Sequence, residues 1–140
     1  MAKGKEFKKF KPKSTKNFKT GEIQDPINYD LCKPIFSFYN MQYGQNACLS
    51  QCDLPNKSSV TDKIVLLSQL TWREIKSQPR TKLGYEKIPQ QQFNVSLPNP
   101  PVTPEVSIKV FRHSGSGRIA GYRVNDVYHI LVVGDNLYNH

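Results

Sequence analysis

The sequence predicts an α+β protein: a mostly antiparallel sheet with one long and one short helix packed on one face. Three observations carry this prediction. Residues 107–133 alternate in character like three consecutive strands, broken only by Ser114-Gly115-Ser116-Gly117 and Asn125-Asp126. Residues 60–70 place apolar side chains at helical spacing behind a capping sequence. Residues 34–39 form an aromatic and branched run ahead of the helices, so strands flank the helical segment on both sides.

The elements follow in chain order. Met1 to Lys19 holds eight lysines and one glutamate, which is +7 of the chain's net +9. A lysine block that repels itself and lacks a hydrophobic period is expected to be disordered. The predicted organisation is a basic tail and lead-in segment over 1–30 and a single α+β domain over 31–140. Residues 34–39 (Pro-Ile-Phe-Ser-Phe-Tyr) read as a strand, and the polar stretch 40–57, with Gly44 and Pro55, as a long loop. Ser59-Val60-Thr61-Asp62 is a variant of the capping box, and Val60, Ile64, Leu67 and Leu70 follow it, with Val65 and Leu66 widening the stripe. The spacing predicts a helix over 60–70. Thr71 and Glu74 cap a second, short helix over 72–77, which Pro79 ends, and Trp72 and Ile75 are expected to pack on the sheet. Residues 82–88 read as a strand or extended link, and Phe93, Val95 and Leu97 alternate like an edge strand. Four prolines within 98–104 make a stiff connector.

In the closing meander, a type I′ turn at Asn125-Asp126 sets Tyr122 opposite His129 and Gly121 opposite Ile130. A four-residue loop over 114–117 sets His113 opposite Arg118 and Val110 opposite Gly121. Alternation then puts Ile108, Val110, Ile119, Ile130 and Val132 on a core face beneath the helices. Lys109, Phe111, His113, Arg118, Tyr122, His129, Leu131 and Val133 share the other face, which is left open. Cations, imidazoles and rings on one sheet surface are what an RNA-facing sheet presents.

That face holds the groups needed for RNA cleavage by 2′-hydroxyl attack. A base takes the 2′ proton, an acid protonates the departing 5′ oxygen, and a cation stabilises the charged transition state. His113 and His129 are candidates for the acid–base roles, Arg118 for the phosphate and Lys109 for the backbone, while Phe111 and Tyr122 stack bases. Tyr138, near the chain end, can fold back over the same face. Lys8, Lys9, Lys11 and Lys13 in the tail are candidate phosphate contacts. No metal or other cofactor is expected.

Composition limits the other classes. No run approaches the roughly 20 apolar residues of a membrane span, and the N-terminus has no apolar signal core, so a cytoplasmic protein is expected. Cys32, Cys48 and Cys52 are odd in number and lack a zinc knuckle, which argues against a disulfide framework and a structural zinc. GxSxG, P-loop, GxGxxG and HExxH motifs are missing.

The end of the chain resembles the RelE/ParE superfamily of bacterial toxins. The residues that carry the resemblance are the Arg-containing strand Gly117-Arg118-Ile119-Ala120-Gly121-Tyr122-Arg123-Val124, the turn Asn125-Asp126, the apolar strand that ends Val133-Gly134, and Tyr138. The resemblance implies a RelE-like fold and an mRNA-cleaving toxin, metal-independent, acting on or near the ribosome and neutralised by a protein antitoxin. Arg118 and Tyr138 are the positions that match. Two other readings stand beside it. One is a non-catalytic nucleic-acid- or ribosome-binding module whose affinity comes mainly from the Lys-rich arm. The other is a protein-interaction module with Phe111, Tyr122 and Tyr128 as anchors.

Overall fold

In the computed structural model, residues 26–98 and 101–139 are described. The lysine candidates at 8, 9, 11 and 13 lie outside them. The strands are β1 (Ile35–Ser37), β2 (Tyr85–Ile88), β3 (Ile108–Ser114), β4 (Gly117–Val124) and β5 (Val127–Asp135). The helices are α1 (Leu54–Leu67) and α2 (Trp72–Ser77). The five strands form one sheet in the order β1-β5-β4-β3-β2, with β1 parallel to β5 and every other pair antiparallel. The expected fold class, a mostly antiparallel sheet with one long and one short helix, is the one observed. No helix among the described residues is long and apolar enough to cross a membrane.

α1 begins one and a half turns earlier than the apolar spacing suggests. Asp53 is its N-cap, accepting from Asn56 N at 3.0 Å, and Pro55 fits the first turn, where no backbone N–H is needed. Ser59 is therefore an interior helical residue rather than a cap. Val60 and Leu67 are fully buried, whereas Val65 and Leu66 point outward and do not widen the stripe. α2 has the expected boundaries and the expected reciprocal capping box between Thr71 and Glu74. Trp72 and Ile75 are buried against the sheet, and Trp72 Nε1 donates to Asp126 O at 3.0 Å. The lead-in residues are tied to the same body: Asp30 pairs with Lys76 and Arg123, each at 2.8 Å. Residues 93–97 are not a strand. They make one bridge, Phe93 to Tyr138, and otherwise lie across the sheet.

The meander differs from expectation at two joints. The β3–β4 hairpin turns on Gly115-Ser116 alone, with Ser114 opposite Gly117 and Gly115 at φ +44°. Val110 then pairs with Ala120, one residue from the expected partner, and a bulge between Arg112 and Ser114 displaces His113. The β4–β5 hairpin keeps the expected pairs Tyr122–His129 and Gly121–Ile130, although of its two turn residues only Asn125 has positive φ. Beyond Gly121, a second bulge makes Leu131 an extra residue, so Ala120 pairs with Val132. A one-residue shift moves side chains to the other face. The expected core set is accordingly split. Phe111, Ile119, Tyr128, Ile130 and Val133 lie under Val60, Leu67, Trp72 and Ile75. Ile108, Val110, Ala120, Tyr122, Leu131 and Val132 form the opposite layer.

That opposite layer is not an open face. Val102, Leu137 and Tyr138, with Val95, Leu97 and Val106, pack over it. Phe111 and Tyr128 are fully buried and Tyr122 nearly so, so none of the three is a surface anchor and neither Phe111 nor Tyr122 is an exposed base platform.

Candidate functional site at the β3–β4 hairpin

The expected grouping of Lys109, Phe111, His113, Arg118, Tyr122 and His129 on one face does not form. Lys109, Phe111 and His113 lie on the helix side, and Arg118, Tyr122, His129 and Tyr138 on the other. The physical reason is the pair of bulges, which were invisible to strict alternation. Lys109 lies over the Tyr85 ring, 5.6 Å from its centroid, and burial lowers its pKa.

The hairpin end nevertheless gathers chemistry. The bulge at His113 turns its imidazole toward α1, where Ser59 holds it by two hydrogen bonds. Ser59 Oγ donates to His113 O at 2.8 Å, and its oxygen lies 3.0 Å from His113 Nδ1. A serine hydroxyl has one proton to give, and here the carbonyl takes it. The Nδ1 contact must then run the other way, with Nδ1–H donating to Ser59 Oγ. Neutral His113 therefore carries its lone pair on Nε2. That nitrogen sits against the backbone of Gly117: a Cβ there would stand 2.4 Å from it. Burial foremost, and the nearby positive charges of Arg118 and Lys63, hold the His113 pKa below its ordinary value against the opposing pull of Asp135. His113 is thus predominantly neutral at pH 7.

Around His113 lies an open cleft of about 840 Å³ between α1, the segment before β2, and the end of β3. Ser59, Lys63, Lys82, Arg112 and His113 line it, with Asp62 as its acidic residue. Lys63 follows Ser59 by four residues and so projects from the same helix face. It is the one buried polar or charged residue among the described residues, and its ammonium donates to Lys82 O. A buried lysine normally needs a carboxylate partner, and none is within ion-pair distance. Burial lowers its pKa. Arg112 Nε is also buried, with no hydrogen-bond partner. Arg112 pairs across the strands with Arg118, on the face away from the helices, and its charge acts on Glu86, so Lys63 is the buried cation of the cleft itself.

Arg118 and Tyr138 do come together. Arg118 Nε donates to Tyr138 Oη at 3.1 Å, and Tyr138 Oη donates to Glu86 Oε1 at 3.0 Å. Arg80 closes the chain on Glu86 Oε2 at 2.5 Å. Burial raises the Glu86 pKa, but the bonds from Arg80 and Tyr138 and the charges of Arg80 and Arg112 outweigh it, so the carboxyl titrates below its ordinary value. Burial, and the Glu86 carboxylate, push the Tyr138 phenol up. Arg118 also donates from Nη1 to Gly115 O and Gly117 O, at 2.8 and 3.1 Å, and so staples the turn that shapes the His113 site.

His129 is elsewhere. It stacks on Tyr122 with centroids 4.9 Å apart, and Asn40 Nδ2 reaches both Tyr122 Oη at 2.8 Å and His129 Nδ1 at 3.3 Å. An amide nitrogen only donates, so Nδ1 is the acceptor and neutral His129 carries its proton on Nε2. The Tyr122–His129 pair stands four residues along β4 from Arg118, roughly 13 Å at strand rise. His129 therefore cannot share a scissile phosphate with His113.

The sequence reading missed Ser59, Lys63, Lys82, Arg112, Glu86 and Asn40. One signal was present: with the helix started from Asp53, Ser59 and Lys63 fall one turn apart beside Val60 and Leu67. Among the described residues no group of three or more His, Cys, Asp or Glu is placed to hold a metal, and the three cysteines are free thiols. Comparison of the chain with protein-family models, with curated proteins and with solved structures finds no match.

Proposed function

We propose that the chain is a metal-independent RNA-directed endoribonuclease whose reaction centre is the cleft at the β3–β4 hairpin, not an open sheet face. The observation that supports this reading best is the Ser59-held His113, neutral and with its lone pair on Nε2, in a cleft with Lys63. In this reading Nε2 takes the proton of a ribose 2′-hydroxyl. The 2′ oxygen bonds to phosphorus as the bond to the 5′ oxygen breaks, giving a 2′,3′-cyclic phosphate and a free 5′-hydroxyl. Lys63 faces the phosphate charge, and its ammonium is the proton donor available to the departing oxygen. Arg118 and Tyr138 hold the turn. The toxin setting, with a ribosome-associated substrate, a protein antitoxin and a cytoplasmic site of action, rests on the resemblance of the segment from Gly117 to Tyr138 alone.

The test is cleavage of end-labelled RNA by the full chain in the presence of a chelator. The expected products end in cyclic phosphate, and His113→Ala is expected to slow their formation by about 10²–10⁴-fold. RNA left intact by the wild-type chain, or an undiminished His113→Ala rate, overturns the reading. A second reading is favoured by the concentration of +7 of the +9 net charge in residues 1–19: a non-catalytic RNA-binding module. It expects binding that weakens steeply with salt and yields no products.

A further inference from the structure

On the sheet face away from the helices, the loop before α1 and the segment after β2 enclose a second pocket of about 280 Å³. Its floor is a product of the β5 bulge. Regular alternation would send Leu131 and Val132 to opposite faces, but the extra residue puts both side chains on the same side, next to one another. The result is a broad apolar floor in place of a single side chain. Its walls carry carboxamides: Gln42, Gln45 and Asn46 from one loop and Asn94 from the other. The side chains of Gln42, Gln45 and Asn46 make no hydrogen bond to any described residue. Asn94 is oriented: its Nδ2 donates to Asn136 O at 2.9 Å, which leaves its oxygen as an acceptor. In a chain of net charge +9, this pocket has no charged side chain in its lining.

These properties select a ligand class. The lack of charge disfavours phosphate and metal ions. The volume falls just below the roughly 300–1,000 Å³ of pockets for drug-sized ligands, so the occupant is about one ring system. An apolar floor of two adjacent side chains suits a ring face, and carboxamides offer a donor and an acceptor side by side, the pairing that reads base edges. We infer that the amide-lined pocket over Leu131 and Val132 binds a single nucleobase. Val132 lies three residues before Asp135, which pairs with Gly117, against which the His113 ring packs. That is about 10 Å along β5, so a strand passing round the hairpin end reaches both places. Use of the pocket as a specificity subsite of the nuclease rests on the proposal above; recognition of the base does not.

The experiment titrates the full chain with the four free ribonucleosides and, separately, with short homopolymeric oligoribonucleotides and an abasic ribose-phosphate oligomer. One nucleoside or one homopolymer is expected to bind in preference to the others. Gln45→Ala/Asn46→Ala, which alters only exposed side chains, is expected to reduce that preference about five- to a hundredfold while abasic binding stays unchanged. Preference among oligomers without nucleoside binding identifies a base within RNA. Saturable nucleoside binding without oligomer preference identifies a free nucleoside. Equal binding of all four bases in both forms, or a preference untouched by the double variant, overturns the inference. Cleavage by the wild-type chain separates the two proposals: a base preference in a wild-type chain that cuts no RNA sinks the nuclease reading and leaves the pocket standing, whereas RNA cleavage without any base preference does the reverse.

Discussion

Ser59→Ala tests the physical core of the hairpin site. The hydroxyl makes two partly buried hydrogen bonds, at 2.8 and 3.0 Å, to the two polar groups of one residue, His113. Each is worth about 0.5–1.5 kcal/mol net. Alanine is the better helix former in the middle of α1, which returns about 0.5 kcal/mol. The expected loss is therefore about 0.5–2.5 kcal/mol. With a urea m-value of about 1–2 kcal/mol/M the unfolding midpoint falls by roughly 0.3–2.5 M, at unchanged m. Stability alone does not separate this account from ordinary packing, so the informative readout is the imidazole. Nitrogen NMR of the wild-type chain near pH 7.5 is expected to show His113 with its proton on Nδ1. Without the hydroxyl acceptor, the variant is expected to show a mixture of tautomers. The expected cleavage rate falls more than the stability does, because the lone pair is no longer held on Nε2. A wild-type His113 protonated on Nε2 refutes the tautomer argument and, with it, the assignment of His113 as the base.

Gly121→Ala is expected to be among the most damaging single changes in the sheet. A Cβ there would meet His129 O at 2.0 Å, a backbone atom that no rotamer change can move, so a loss at or above about 3 kcal/mol is expected in chemical denaturation. Gly117→Ala meets the His113 ring at 2.4 Å and the Ser114 carbonyl oxygen at 2.9 Å, so it is expected to displace the imidazole and lower cleavage at a smaller stability loss than Gly121→Ala. The His113 pKa is depressed in the fold, so its contribution is complete above the unfolded value of about 6.5 and is lost as pH falls through the lower folded value. A wild-type stability that declines through this window, and a His113→Gln variant without that component, are the expected results; equal pH dependence of the two contradicts the shift. Tyr138→Phe severs the link from Arg118 to Glu86, and a Glu86 pKa measured by NMR is expected to rise toward its ordinary value.

The basic residues of the hairpin end are held in different ways. Arg118 and Arg80 are bound to Tyr138 and Glu86, whereas Lys63 caps a carbonyl and Arg112 Nε has no partner.

What the sequence by itself determined is local. Thr71 and Glu74 cap α2 through contacts three residues apart, Asn125-Asp126 closes the last hairpin, and the resulting register puts Tyr122 opposite His129. Each of these depends on neighbours in the chain, and the strand–helices–meander order that makes the fold α+β follows from them. The faces of the sheet were decided by tertiary structure. Two single-residue bulges, at His113 and Leu131, leave no mark on the apolar pattern, because Val-, Ile- and Leu-rich strands buried on both sides look alike in either register. The covering of the second face was equally hidden, since Val95, Leu97 and Val102 find it through long-range packing rather than strand pairing. For that reason Arg118 met Tyr138, His113 turned to Ser59 on α1, and His129 was left with Asn40 at a separate place.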